Sequence, residues 1–139
     1  MDCDNDHSDN PEDWITAEKL AGMLPDVGYA IVPSRNNMRD KNGTLPRPRF
    51  HAYFQIDEIT DADDYAALKR AIYEKFSFFD GNALDAARFI FGADSGEVIW
   101  HDGTVSIVEM VGWQSGKAVQ SAGTVSNSAK GNPQDRDTP

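Results

Sequence analysis

Arg47-Pro48-Arg49-Phe50-His51-Ala52-Tyr53-Phe54-Gln55-Ile56 alternates apolar and polar side chains with a period of two, the pattern of a strand that lays one face on a core. Phe50, Ala52, Phe54 and Ile56 make the inward row, with Arg49, His51, Tyr53 and Gln55 opposite, so His51 points away from the core. A few residues later the period changes. Tyr65, Leu68, Ile72 and Phe76 recur at helical spacing between Asp61 and Phe76, and Thr60 followed by Asp63 reads as an approximate capping box.

Working outward, Val27 to Val32 is an apolar strand closed by Pro33, and Ser34 to Pro48 is a long polar loop carrying Asn, Gly and Pro. Upstream, Trp14, Leu20, Ala21 and Leu24 predict a helix over Trp14 to Met23 with Thr16 as its cap. Downstream, Phe78 to Ala87 reads as a turn containing Asp80, Gly81 and Asn82. Arg88 to Phe91 and Glu97 to His101 read as short strands separated by Gly92 to Gly96. Val105 to Trp113 fits either a strand or a short helix. Helices set among strands predict an α+β domain, a mixed sheet with flanking helices. Past Trp113 the Ser, Gly, Asn, Asp and Pro content cannot bury enough apolar area to offset ordering entropy. The expected folded core is therefore residues 1–113, with a disordered tail over 114–139.

A chain of 139 residues has room for one such core. Its formal charge of −10 opposes phosphate binding in general, but the charge is unevenly distributed. From Met1 to Asp26, eight acidic residues face the single Lys19, whereas Pro33 to His51 holds Arg35, Arg39, Lys41, Arg47 and Arg49 against Asp40 alone. An acidic segment beside a basic one suits carboxylates that hold metal ions next to cations that hold phosphates; solvated surface charge is the plainer reading. The single Cys3 excludes an internal disulfide framework, and no apolar run is long enough for a membrane span. The N-terminus has no signal-peptide pattern, which makes a reducing cytoplasm the expected location.

Three short constellations carry chemistry. In Asp2-Cys3-Asp4-Asn5-Asp6-His7, an extended backbone places Asp2 and Asp4 on one side, where they can share a hard cation such as Mg²⁺ or Mn²⁺. A solvated acidic tail has the same composition, and the Gly and distal Glu of an EF-hand loop are missing. Arg49 and His51, two apart on one strand face, can grip a triphosphate, or can simply be the polar side of a half-exposed strand. Asp85, in Leu84-Asp85-Ala86-Ala87-Arg88-Phe89, is either a third metal ligand or a cap.

Taken in order, the acidic pair at Asp2 and Asp4, the Arg49-Phe50-His51 motif and the Asp after Leu84 resemble the three motifs of the archaeo-eukaryotic primase superfamily. DCDNDHSDNPEDWIT, SRNNM, RPRFHAYFQI and NALDAARFIFG are similar to the primase domains encoded beside helicases in phages and plasmids, over roughly Asp2 to Gly103. The resemblance implies a DNA-dependent primase-polymerase, a nucleotidyltransferase using two Mg²⁺ or Mn²⁺ ions held by Asp2, Asp4 and Asp85. It implies that Arg49 and His51 contact the phosphates of a nucleoside triphosphate, with Arg35 and Lys41 as further phosphate or template contacts. It implies a DNA template and a replicative helicase, on this or another chain, as partners. Relative to that family the sheet preceding the acidic motif is not in this chain, so the core is incomplete at its N-terminus. Asn37 stands where that branch carries a His. An inactive remnant that binds nucleotide or nucleic acid is the alternative, and a metal-dependent nuclease a third.

Overall fold

Four short antiparallel strands, three α-helices and a 3-10 turn at Pro11–Asp13 form the described part of the chain, residues 1–82, 84–85 and 96–116 of a computed structural model. The expected strand at Arg88 to Phe91 and the expected tail beyond residue 116 lie outside the described residues.

The alternating stretch forms β3 (Phe50–Phe54), at the centre of the sheet together with β2 (Tyr29–Pro33). β1 (Asp2–Cys3) lies on the far side of β3 and β4 (Ile99–His101) on the far side of β2, giving the order β1-β3-β2-β4. Every ladder is antiparallel. The expected mixed sheet is thus corrected: parallel pairing among the described residues is reduced to the isolated bridge Val27–Val105. Long polar connections, not crossover helices, join the central strands, and they allow antiparallel pairing.

The helices follow their capping chemistry. Thr16 accepts a hydrogen bond from the Lys19 N–H and starts α1 (Ala17–Met23), as the sequence predicts. α2 (Ala62–Lys75) starts one residue later than a Thr60 cap would set it, because the carboxylate of Asp61 takes the Asp64 N–H at 3.0 Å. The ambiguous Val105–Trp113 stretch resolves as α3 (Ile107–Val111), with Ser106 bonding the Val108 N–H and Gly112 closing the end at φ 68°.

The inward row of β3 joins Cys3, Tyr29 and Ile31 from the sheet with Leu20 and Leu24, Leu68, Ile72 and Phe76 of the α2 segment, Phe79, and Ile107 in one apolar cluster. Register places Asp2, His51 and Val32 in a row on the opposite, open face, and Tyr53, Ala30 and Trp100 in the next row.

Candidate functional site

β1 is too short to hold itself, since it contributes two residues to the sheet. Its backbone is fixed from both edges. Met1 and Ala52 exchange hydrogen bonds at 2.8 Å in each direction, and on the outer edge the Asp80 N–H donates to the Asp2 carbonyl at 2.7 Å. Asp2 and His51 therefore face each other as a non-hydrogen-bonded pair, the position where cross-strand side chains approach closest. His51 Nδ1 lies 2.8 Å from Asp2 Oδ1.

The bond from Asp80 also recruits its carboxylate. Asp2, Asp4 and Asp80 each present an oxygen within 4.8 Å of the others. Three hard oxygen donors at that spacing fit one divalent ion bound at ~2.0–2.6 Å per ligand. Burial holds the Asp4 carboxyl above its ordinary range, and the negative charge of Asp2 adds to this; Lys41 and Arg49 pull in the other direction. Asp4 is thus a carboxylate under repulsion, with cations at its flank.

The turn after the acidic pair is built around Asn5, which has φ 54° and is 1% exposed. Its side chain accepts the Ile15 N–H at 2.7 Å and donates to Ile15 O at 2.9 Å and Pro48 O at 2.8 Å. Arg47, also 1% exposed, donates from Nη1 to Asn5 O and Ser8 O and from Nη2 to Asp9, and stacks over the Trp14 ring at 5.2 Å.

Of the residues expected from sequence, Asp2, Asp4, His51 and Lys41 are brought to one locality. Asp85 is not in the carboxylate trio; it is exposed, and its carbonyl accepts from Lys69 at 3.2 Å. Arg49 is 0% exposed, with Nη1 2.9 Å from Asp6 Oδ1 and Nη2 3.4 Å from Thr44 Oγ1. Its guanidinium is held inside the protein instead of on the open face where the strand alternation puts it, because the Ser34–Pro48 loop and the Asp6 segment close over it. Arg35 is exposed, and its side chain makes no ion pair or hydrogen bond among the described residues. Asn37 is structural, accepting the Arg49 N–H at 2.9 Å.

Asp80 and Asn5 carry roles that the sequence reading missed. Asp80 was visible only as a turn residue, since its recruitment depends on a backbone bond across 78 residues of chain. Asn5 gave a faint signal as an amide within a run of carboxylates.

A cleft of about 640 Å³ opens elsewhere, beyond the end of β3. Asp57, Glu58, Asp61, Asp64 and Glu109 line it and, among the described residues, no Lys, Arg or His does, so this lining is unsuited to phosphate and shares no residue with the trio. Comparison with known proteins found no matching family model, no matching curated protein and no matching solved structure.

Proposed function

We propose that this chain carries the catalytic core of a primase-polymerase, a DNA-dependent nucleotidyltransferase of the kind found in phage and plasmid replication modules. The observation that carries the reading is the register: Asp2 stands directly opposite His51, and Asp4 and Asp80 complete a three-carboxylate set beside that pair. In this reading Asp80 takes the role that the sequence gave to Asp85.

Asp2, Asp4 and Asp80 would hold Mg²⁺ or Mn²⁺, which in nucleotidyl transfer acidifies the attacking hydroxyl and offsets charge on the leaving pyrophosphate. His51, with Nδ1 2.8 Å from Asp2 Oδ1, would contact the phosphates of the bound nucleotide. Lys41, close enough to influence Asp4, neutralises charge on the same triphosphate. Arg49 acts through Asp6 as a positioning residue and does not touch the nucleotide.

The test is template-dependent incorporation of labelled nucleotides with Mn²⁺ or Mg²⁺. Asp4→Asn, Asp80→Asn and His51→Ala each abolish incorporation, while Asp85→Asn retains it. Loss in Asp85→Asn with activity kept in Asp80→Asn overturns the assignment of the third carboxylate. A specific observation favours the second reading, a binding remnant: burial removes the Arg49 guanidinium from any phosphate. Nucleotide binding without incorporation by the parent chain selects that reading.

A further inference from the structure

The row beside Asp2 and His51 on the open face contains Tyr53, Ala30 and Trp100, contributed by β3, β2 and β4 in register. Tyr53 is 46% exposed and Trp100 77%, and the small Ala30 lies between them. Adjacent strands are ~4.8 Å apart, so the two aromatic residues stand ~10 Å apart across the sheet. Val98, just ahead of β4, is exposed too. A large exposed aromatic on an edge strand is an aggregation hazard unless a ligand uses it.

We propose that Tyr53 and Trp100 form a stacking platform for the bases of a single DNA strand. This deepens the polymerase reading and rests on it for the strand's role as template. Charge complementarity identifies the occupant. The loop that leaves β2 after Pro33 carries exposed Arg35 and Arg39, whose side chains make no ion pair or hydrogen bond among the described residues, and Lys41, whose charge acts on Asp4. Gly96, at the entry to β4, packs against Pro33, so the start of this loop and the start of β4 adjoin. Aromatic faces for bases with cations at one end for phosphates is the composition that binds single strands without sequence preference. The row also adjoins the site: Tyr53 meets His51 edge-on, with ring centroids 6.3 Å apart. A base stacked on Tyr53 is held one step from the nucleotide position.

The experiment titrates the full chain with a fluorescein-labelled oligothymidylate and with the corresponding duplex, in EDTA so that binding is read without metal or catalysis. Trp100→Ala and Tyr53→Ala each weaken single-strand binding by about 5- to 150-fold, the range for loss of one base–aromatic stack. Tyr53→Phe leaves binding within about twofold, because the ring is kept. Arg35→Ala with Arg39→Ala lowers the slope of log affinity against log salt by about 1.4, at ~0.7 per phosphate contact on a single strand. Both aromatic side chains are exposed, so circular dichroism and thermal melts of the variants should match the parent. Unchanged affinity in both alanine variants overturns the platform, as does equal binding of duplex and single strand. So does a Trp100→Ala variant whose sole change is from dimer to monomer in sedimentation. Incorporation by the parent together with unchanged binding by the variants sinks this inference and spares the polymerase reading; platform-dependent binding without incorporation does the reverse.

Discussion

Replacing Asn5 by Ala tests whether the acidic N-terminal segment is part of the fold or a tail lying on it. The side chain is buried and satisfies three backbone groups: the Ile15 N–H, the Ile15 carbonyl and the Pro48 carbonyl. Each buried group stranded by the substitution costs ~1–3 kcal/mol. The backbone at φ 54° adds ~1 kcal/mol for Ala, which lacks the tolerance of Asn for left-handed conformations. Even the low end of these terms gives ~4 kcal/mol, a large part of the ~5–15 kcal/mol that holds a domain together. At a urea slope of ~1–3 kcal/mol/M, the midpoint falls by more than ~1 M with the slope unchanged. Asn5→Gly removes the backbone part and recovers ~1 kcal/mol. Asn5→Asp keeps the acceptor for Ile15 N–H but sets a carboxylate against two carbonyl oxygens, so it falls with Ala. A loss below ~1 kcal/mol for Asn5→Ala refutes the reasoning, since it means that water satisfies these groups equally well.

Three further outcomes follow from local geometry. A Cβ on Gly103 lies 2.3 Å from the Val27 carbonyl carbon and 2.4 Å from both Asp26 O and Gly28 N, all backbone, so Gly103→Ala costs at least ~1–3 kcal/mol in urea unfolding. Cys3 is buried and its thiol is pushed up to about 12, chiefly by burial, so iodoacetamide at pH 8 labels it only after denaturation; rapid labelling of the native chain contradicts this. Asp4 in the folded chain holds its proton more tightly than in the unfolded chain, so its contribution to stability is full below the unfolded value near 3.8 and is lost as pH rises through the raised folded value. Asp4→Asn therefore melts at a higher temperature than the parent at pH 7 in EDTA. On the proposed metal-holding role, Mn²⁺ is expected to raise the parent's melting temperature, by less as pH is lowered, and to leave that of Asp4→Asn unchanged.

Where a structural choice depended on neighbours in sequence, the sequence was readable. The β3 alternation assigned Phe50, Ala52 and Phe54 to the core side and His51 and Tyr53 to the other, and Thr16 capped its helix. The shift of the α2 cap from Thr60 to Asp61 is a one-residue competition between two adjacent acceptors. Choices made by distant contacts were not readable. Alternation alone places Arg49 on an open face, yet Asp6, across 43 residues, draws it inside. Asp80 and Asp85 look equivalent in Asp80-Gly81-Asn82-Ala83-Leu84-Asp85; a single bond from the Asp80 N–H to Asp2 O distinguishes them. Antiparallel pairing throughout the described sheet likewise depends on how Ser34–Pro48 folds back, which strand composition does not encode.

The arginines explain how a chain of net charge −10 keeps its acid pair in place. Arg47 and Arg49 are buried, and their partners Asp6 and Asp9 come from the segment that follows Asp4. A buried guanidinium without its acid is strongly destabilising, so the acidic segment is obliged to fold over β3. Asn5 ties it to Ile15 and Pro48, and the Asp80 N–H ties its start to the outer edge. These anchors reach the segment from three separate parts of the chain, and none depends on the carboxylates of Asp2, Asp4 or Asp80. Those three groups repel one another, yet the anchors hold them within 4.8 Å. Like charges on a solvated tail would relax apart at almost no cost; here supports that do not use those carboxylates keep them together.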